Sequence, residues 1–320
     1  MFPLARCVVT GGAGFIGSNL VHRLLCEGHQ VAVIENLATG KRENLLGVED
    51  SVEFILGDIR DLDLLLRVLR GSEVVYHQAA LPSVPRSVQD PASTNETNVT
   101  GTLHVLLAAR DSEVRRVVLA SSSSVYGNTQ VLPKKEDMPA EPLSPYAVSK
   151  YTNELYARVF SRMYGLETVC LRYFNVFGPR QDPQSQYAAV IPKFISAALH
   201  GDRPVIFGDG EQSRDFTYVD NVVEANMLAA TAEEVSGEVF NIGCGSSYSL
   251  NQLVASLSEI LGTAIVPEHR PQRPGDVRHS LASIERARIR LCYEPSVTFA
   301  DGLRRAVEWF RDCSRGPSSA

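Results

Sequence analysis

A short apolar run, Arg6-Cys7-Val8-Val9-Thr10, leads directly into Gly11-Gly12-Ala13-Gly14-Phe15-Ile16-Gly17. Apolar residues at helical spacing follow at Ile16, Leu20, Leu24 and Leu25. Buried strand, glycine turn and helix in that order constrain the fold strongly, because few architectures need a strand to enter a helix through glycines. Gly11 permits the tight turn, Gly14 lets a backbone approach a pyrophosphate, and Gly17 lets helix and strand pack closely. The free N–H groups and positive dipole end of the helix would face the phosphates. The spacing is G-x-x-G-x-x-G rather than G-x-G-x-x-G. A second strand, Gln30 to Ile34, ends in Glu35, 18 residues after Gly17. An acidic residue there suits the hydroxyls of an adenosine ribose and would repel a 2′-phosphate, which favours NAD over NADP. Lys41 and Arg42 lie close enough to oppose that preference.

Strand-like and helix-like segments alternate through the first half. Strands are expected at Val52–Leu56, Val74–Gln78, Arg116–Ala120 and Thr168–Arg172, with helices at Asp61–Leu69, Val99–Arg110 and Tyr146–Tyr164. This rhythm predicts an α/β fold, a Rossmann-type doubly wound parallel sheet whose ligands lie beyond the carboxyl ends of the strands. Gly11, Glu35, Asp58, Ala79 and Ser122 all fall at those ends, so the motifs converge on one crevice. After Arg172 the character changes. Asn175–Gln186 and the three-proline stretch Pro267–Asp276 are polar, and helix patterns lie at Ala188–His200, Val219–Thr231 and Ser249–Leu261, with short strands at Val205–Phe207 and Val239–Ile242. The expected organisation is an NAD-binding domain over residues 1–174, with 215–241 returning to it, and a smaller C-terminal α/β substrate-binding domain over 175–320. Pro133–Pro145 reads as a substrate-side loop or a surface wrap, and Ser314–Ala320 as a frayed tail.

Tyr146-Ala147-Val148-Ser149-Lys150 carries the chemistry. Tyr146 and Lys150 are four apart, so on a helix they share one face. A phenol has an unperturbed pKa of about 10 and is a poor base at neutral pH. A neighbouring ammonium favours the phenolate and makes the tyrosine a usable proton acceptor. A hydroxyl from the run Ser121-Ser122-Ser123-Ser124 could hold a substrate alcohol against it. Any Y-x-x-x-K is common by chance, and a surface Tyr and Lys on an ordinary helix is the plain alternative; the glycine turn upstream decides for the functional reading.

Bulk properties exclude other classes. A net charge of -6 argues against a nucleic-acid surface. The 44% apolar and 21% charged content is that of an ordinary globular protein, and no apolar run reaches the roughly 18 residues of a spanning helix. Six cysteines at 7, 26, 170, 244, 292 and 313 show no paired spacing, and the seven histidines form no metal-ligand cluster. A cytoplasmic protein with reduced thiols and no metal, nucleic-acid or membrane partner is expected. The basic pairs Arg115-Arg116 and Lys134-Lys135 read most simply as solvated loop charges.

Taken together, Thr10 to Gly17, the serine run with Val125-Tyr126-Gly127, Tyr146-x-x-x-Lys150, Arg172-Tyr173-Phe174-Asn175-Val176-Phe177-Gly178-Pro179, Arg214-Asp215-Phe216-Thr217-Tyr218-Val219-Asp220 and Arg273-Pro274-Gly275-Asp276 resemble the extended short-chain dehydrogenase/reductase family. The resemblance covers nearly the whole chain. Within the family it is similar to nucleotide-sugar 4-epimerases, particularly bacterial UDP-N-acetylglucosamine 4-epimerases of surface-polysaccharide pathways. It implies a tightly held NAD, a UDP-sugar substrate and a homodimer built on the helices near Val99–Arg110 and Tyr146–Tyr164. It implies Ser122, Tyr146 and Lys150 as the catalytic set, with Ser122 sharing the sugar 4-oxygen with Tyr146. NAD would contact Gly11, Gly14, Phe15, Ile16, Gly17, Glu35, Asn36, Asp58, Ile59, Ala79, Ala80, Asn98, Tyr146, Lys150 and Tyr173. The substrate would contact Ser83, Arg86, Ser122, Ser123, Ser124, Tyr146, Asn175, Val190, Arg214, Arg273, Asp276 and Ser280. Arg214 and Arg273 suit a diphosphate clamp; their plain alternative is surface pairing with Asp215 and Asp276.

Related activities separate by what is missing. Nucleotide-sugar 4,6-dehydratases carry an Asp-Glu pair where this chain has Ser123 and Ser124, and decarboxylating relatives carry an acid there too. UDP-glucuronate 4-epimerases share the serine run; they more often have Thr at the position of Asn175, and Arg86 or Arg180 could meet a uronate, so they are the runner-up. Epimerases restricted to UDP-glucose and UDP-galactose carry a bulky Tyr matching Ser280, whose small side chain leaves room for an N-acetyl group. Leu81-Pro82-Ser83 departs from the relatives, which carry Gly before the Ser. A non-catalytic dinucleotide-sensing regulator tends to lose the Tyr or the Lys, and both are present.

Overall fold

The computed structural model describes residues 4–183, 189–272 and 277–315. Strands β1 (Arg6–Thr10), β2 (Gln30–Glu35), β3 (Val52–Leu56), β4 (Val74–His77), β5 (Arg116–Ser122) and β6 (Glu167–Tyr173) form the first part. Four short strands follow, β7 (Val176–Phe177), β8 (Val205–Phe207), β9 (Ser213–Arg214) and β10 (Thr217–Tyr218), then β11 (Glu238–Ile242), β12 (Tyr248–Ser249) and β13 (Glu268–Arg270). The helices are α1 (Phe15–Cys26), α2 (Leu62–Leu69), α3 (Val84–Gln89), α4 (Pro91–Asn95), α5 (Gly101–Asp111), α6 (Pro145–Tyr164), α7 (Val190–His200), α8 (Val219–Thr231), α9 (Leu250–Leu261), α10 (Glu285–Leu291) and α11 (Phe299–Arg315).

The main sheet has the order β11-β6-β5-β4-β1-β2-β3. Every neighbouring pair in it is parallel. This is the doubly wound Rossmann arrangement, and the chain reverses direction across the sheet between β1 and β4, where a ligand crevice opens. Side chains alternate across the sheet. Val9, Val33, Val118 and Leu171 pack with α1 and α8 through Leu20, Leu24, Val222 and Ala225. On the opposite face Val8, Ile34, Val117 and Leu119 pack with α2, α5 and α6 through Leu65, Leu106, Ala109 and Phe160. Both faces are therefore dry, as a parallel sheet requires. Burying each such Leu or Phe stabilises the fold by roughly 1.5–3 kcal/mol.

Beyond the sheet, β7 pairs with β10, β9 with β12 and β8 with β13. These ladders and α7, α9 and α11 surround an aromatic extension of the core on the α1 and α8 side, in which the rings of Phe177, Phe216, Tyr248 and Phe299 stack or meet edge-on. β11 returns to the sheet beside β6, carrying α8 with it.

Several details differ from the sequence reading. β5 runs two residues further, to Ser122, because β6 continues opposite it as far as Tyr173. The helix expected at Val99–Arg110 is preceded by a wider turn over Glu96–Thr100 and becomes α-helical at Gly101. α11 was not anticipated, although Phe299, Leu303, Ala306, Val307 and Phe310 follow helical spacing and are all buried. It extends through Arg315, so Ser314 belongs to the helix. The basic pairs are not simply solvated: Arg116 is buried and donates to Glu167 and to the carbonyls of Ala229 and Ala232. Lys134 is likewise buried, its backbone joined to Leu281 and Ser283.

Candidate active site

The glycine turn is shaped by close approaches. Gly11 has φ +69°, and a Cβ there would lie 2.8 Å from the backbone of Ala79 at the exit of β4. A Cβ on Gly17 would overlap the Gly11 carbonyl oxygen, whereas one on Gly14 would meet only that oxygen, at 3.1 Å. Gly14 thus faces open space, and the N-terminus of α1 opens into a cavity of about 940 Å³ lined by Gly11, Gly14, Phe15, Ile16 and Gly17. The same cavity is lined by Glu35, Asn36, Ile59, Ala79, Ala80, Ser83, Arg86, Tyr146, Lys150 and Tyr173.

Glu35 is buried and already bonded: one oxygen accepts from the Leu37 amide at 2.8 Å, the other from the Ala13 amide at 3.2 Å. It ties the exit of β2 to the glycine turn, and a carboxylate has lone pairs left for ribose hydroxyls. The two cations nearby are directed elsewhere. The Lys41 ammonium pairs with Asp182 at 2.9 Å, and the Arg42 guanidinium lies over the Phe54 ring at 4.2 Å.

Two of the expected cofactor residues do not line the cavity. Asp58 forms a two-pronged pair with Arg60 and accepts from Asn36. The hydrogen bond from Arg60 is the main cause that holds its carboxyl well below the usual range, against the cost of burial. Asn98 is buried, its oxygen accepting from the Leu81 amide at 2.8 Å and its amide donating to Ser149 at 3.1 Å. It shapes the Leu81–Ser83 loop from behind. Ser83 caps α3, its hydroxyl accepting from the Arg86 amide at 3.2 Å, so Pro82 precedes a helix start.

Tyr146 owes its place to the start of α6. Ser144 accepts from the Ala147 amide at 3.2 Å as N-cap, and Pro145 occupies the first turn, where its missing N–H costs nothing. Tyr146 and Lys150 then share the face toward the carboxyl end of β5. Lys150 is buried and donates to the Ala120 carbonyl at 2.9 Å. Its ammonium lies 5.9 Å from the Tyr146 ring centre. Burial pushes the Lys150 pKa down to about 8. Burial also pushes the Tyr146 phenol up, opposed by a hydrogen bond with Ser122. Desolvation is the larger of the two effects, and no lowering from the lysine accompanies it.

Ser122 caps the short helical turn Ser123–Tyr126, accepting from the Ser124 amide at 3.2 Å and the Ser124 hydroxyl at 2.9 Å. Ser122, Ser123 and Ser124 lie beside the cavity rather than in its lining; Ser121 lines it. A second cavity of about 570 Å³ is lined by Asn175, Val190 and Arg214 together with Lys193, Arg203, Phe207, Phe216 and Arg270. Ala189 lines both, so the two cavities adjoin there. Ser280 stands beside the second cavity, its amide donating to Ser213 and its carbonyl accepting from Asp215, next to Arg214. Asp215 itself is buried and accepts from the amides of Cys244, Gly245 and Ala282, so it is no partner for Arg214. Arg273 and Asp276 lie outside the described residues.

Sequence reasoning missed Gln78, Lys193, Arg203 and Arg270. Gln78 lines the first cavity and donates to Asn226, while accepting from the Tyr173 hydroxyl at 3.2 Å. Its position two residues after a strand's last buried aromatic was the available signal. The other three are isolated basic residues with no local motif.

A cavity built from a glycine turn, a strand-end carboxylate and a Tyr–Lys pair is a dinucleotide site with a proton acceptor at one end. Comparison with known proteins agrees. The model of the NAD dependent epimerase/dehydratase family matches residues 7–243. The chain is 42% identical over 315 residues to a UDP-glucose 4-epimerase of Mycolicibacterium smegmatis, covering 97% of this chain and 100% of that one. Among solved structures it is similar to a UDP-N-acetylglucosamine 4-epimerase from Methanobrevibacter ruminantium in complex with UDP-N-acetylmuramic acid, with TM-score 0.94, 43% identity and coverage of 98% and 100%. It is also similar to a UDP-glucose 4-epimerase of Thermotoga maritima with UDP-glucose, with TM-score 0.92, 41% identity and coverage of 97% and 99%. The chain belongs to the NAD-dependent epimerase/dehydratase family. It is an isomerase of the epimerase type, with NAD as its cofactor. The residues present fit that group: Gly14 leaves a cradle that a side chain would fill, and Gln181 places a buried oxygen without a hydrogen-bond partner at the cavity wall.

His77, beneath this site, is buried between the hydroxyls of Thr10 at 2.7 Å and Thr102 at 2.8 Å. Burial, aided by Lys150, lowers its pKa from 6.5 to about 3. Between those values the unfolded chain binds more protons, so this group makes stability rise with pH and its contribution is lost as pH falls. His77→Gln should flatten that slope by up to about 1.4 kcal/mol per pH unit, read from urea denaturation between pH 4 and 7. An unchanged slope would mean that His77 is not the group responsible.

Proposed function

We propose that this chain interconverts UDP-N-acetylglucosamine and UDP-N-acetylgalactosamine by 4-epimerisation, with UDP-glucose and UDP-galactose as a slower pair. The observation that carries the reading is Tyr146 in the lining of the glycine-turn cavity, beside Ser122 and four residues before the buried Lys150. Residues 1–174, with 215–241, would form the cofactor side, and the remainder the sugar-nucleotide side.

Gly11, Gly14 and the first turn of α1 would hold the pyrophosphate, Glu35 the adenosine ribose, and Lys150 the nicotinamide ribose. Asn36, Ile59, Ala79, Ala80 and Tyr173 line the space between. Bound NAD supplies a hydride acceptor that returns the hydride after it has been taken. Tyr146 takes the proton of the sugar 4-hydroxyl and later returns it, while Ser122 holds the 4-oxygen in place. The 4-ketosugar turns about its phosphate linkage between the two steps and presents its other face. Arg214, with Arg203, Lys193 and Arg270 around the second cavity, is suited to the diphosphate. Phe207 and Phe216 offer apolar walls for the base. Arg86 is left to face the sugar. Arg180, the other candidate for a uronate carboxylate, is turned to Asn19 at 2.7 Å, which weakens the UDP-glucuronate alternative.

A second copy of the chain is the partner that the outer face of α6 suits. Val148, Leu155, Val159 and Met163 recur along one stripe of that helix and are 43–73% exposed, on the side away from Tyr146 and Lys150. Sedimentation equilibrium should give twice the 35.0 kDa chain mass, and Val159→Arg should shift it toward the monomer. A monomeric parent chain would refute this pairing.

NMR of the purified protein with UDP-N-acetylglucosamine should show anomeric signals of UDP-N-acetylgalactosamine rising to a stable ratio. Tyr146→Phe should retain NAD and lose about 10²–10⁴-fold in turnover. Unchanged turnover would remove Tyr146 from the mechanism. Ser280→Tyr should suppress the N-acetylated substrates by at least about tenfold relative to UDP-glucose. An equal loss on both would show that Ser280 does not border the C2 substituent.

A further inference from the structure

Three residues of α6 on one helical face meet three consecutive residues at the end of β5. Tyr146 lies beside Ser122, Lys150 donates to the Ala120 carbonyl at 2.9 Å, and Glu154 accepts from the Ser121 hydroxyl at 2.5 Å. The third rung carries more than a hydroxyl. Ser121 and Arg172 are direct partners across β5 and β6, so both side chains stand on the face that α6 covers. Glu154 bridges them, taking two hydrogen bonds from Arg172 at 2.8 and 2.7 Å. Both members of this ion pair are at most 4% exposed.

Arg172 then reaches the far side of the serine turn. Its guanidinium lies 4.7 Å from the centre of the Tyr126 ring, and its remaining nitrogen, Nη1, is buried without a hydrogen-bond partner. The Tyr126 hydroxyl donates to Asn241 at 2.6 Å, which anchors it to β11. The segment that carries Ser122 is therefore held on both sides, at Ser121 by Glu154 and at Tyr126 by Arg172. A buried ion pair is weak evidence for stability, since desolvation of both charges opposes their attraction. Its directional bonds do fix relative positions.

We propose that Glu154 is a positioning residue for catalysis, which with Arg172 sets the end of β5 so that the Ser122 hydroxyl meets Tyr146. This rests on the reading of Tyr146 and Ser122 given above. Glu154 is not itself part of the cavity lining; it acts through Ser121, which is.

The test uses two variants of the NAD-loaded enzyme that leave the net charge unchanged. Ser121→Ala removes the contact and leaves Glu154 with Arg172. Glu154→Asp keeps the ion pair and draws the carboxylate away from Ser121. Misplacing reacting groups by about 1 Å can cost up to about 100-fold. Each variant should lose at least about tenfold in kcat, with KM within about twofold of the parent. Each should also keep the parent's bound NAD and melting temperature, and the limb of the kcat profile that reports Tyr146 deprotonation should move to higher pH. Crystal structures should show Ser122 withdrawn from Tyr146. A kcat within about twofold of the parent in both variants overturns the proposal, and so does a loss that merely follows NAD content and melting. Should the parent enzyme turn over no UDP-sugar, the functional reading fails by itself. The crystal structures then still decide whether Glu154 sets Ser122, and an unmoved Ser122 overturns it.

Discussion

Everything in this site depends on two pieces of backbone meeting without a side chain between them. Gly11 lies against the backbone of Ala79, and Gly17 lies against Gly11. These approaches bring the start of α1 down onto the exits of β1 and β4, and the first amides of the helix open into the cavity as a result. The direction reversal in strand order falls at the same point, so the crevice and the phosphate site coincide. A Cβ at either glycine would lift the helix and widen the gap, and Glu35 could then no longer reach the Ala13 amide. The placement of β5 and α6 follows, because both are registered on the sheet that β1 and β4 begin.

The carboxyl ends of the strands are stiffened by buried polar groups that bond one another. Thr10, His77 and Thr102 run across β1, β4 and α5, and Asn153 of α6 joins them through Thr102 at 3.0 Å. Gln78, Tyr173 and Asn226 join β4, β6 and α8 beneath the cavity floor. A buried polar group left unpaired costs about 1–3 kcal/mol, so each network resists sliding of the strand ends it links. Apolar side chains of the same size would fill the space but tolerate several packings. At a site that must hold a proton acceptor against an alcohol, the directional network is the more useful interior.

How much of this could be read from residues alone depends on whether a group acts on its neighbours in sequence. The glycine turn and Glu35 are local, and the structure brings both to one cavity; the Ser144-Pro145 start of α6 is also local, yet in sequence it reads as the end of a loop. Asn98 was expected at the cofactor and instead braces Leu81, because its partners come from a loop 17 residues away. Asp58, expected to face NAD, is paired with Arg60, two residues on, and stands just outside the cavity lining between Gly57 and Ile59. Arg116 and Lys134 looked like loop charges because what holds them is remote: Glu167 and the carbonyls of Ala229 and Ala232 take the Arg116 guanidinium, and the backbone of Lys134 pairs with Leu281 and Ser283. Lys41 met the same limit, since Asp182 reaches it only after the fold brings the two rims of the cavity together.

The protonation state of the reacting pair shows why such a site is assembled only in part by its own residues. Burial disfavours charge on both partners, lifting the Tyr146 phenol and lowering Lys150 to about 8. A dry Tyr–Lys pair therefore rests as neutral phenol. What shifts the balance must bring positive charge or hydrogen-bond donors to the same end of the cavity. Ser122 supplies one such donor from the chain, and an oxidised nicotinamide would supply the charge. The strength of Tyr146 as a base is then linked to occupancy of the glycine-turn cavity, so that retaining the dinucleotide and activating the tyrosine become one physical requirement.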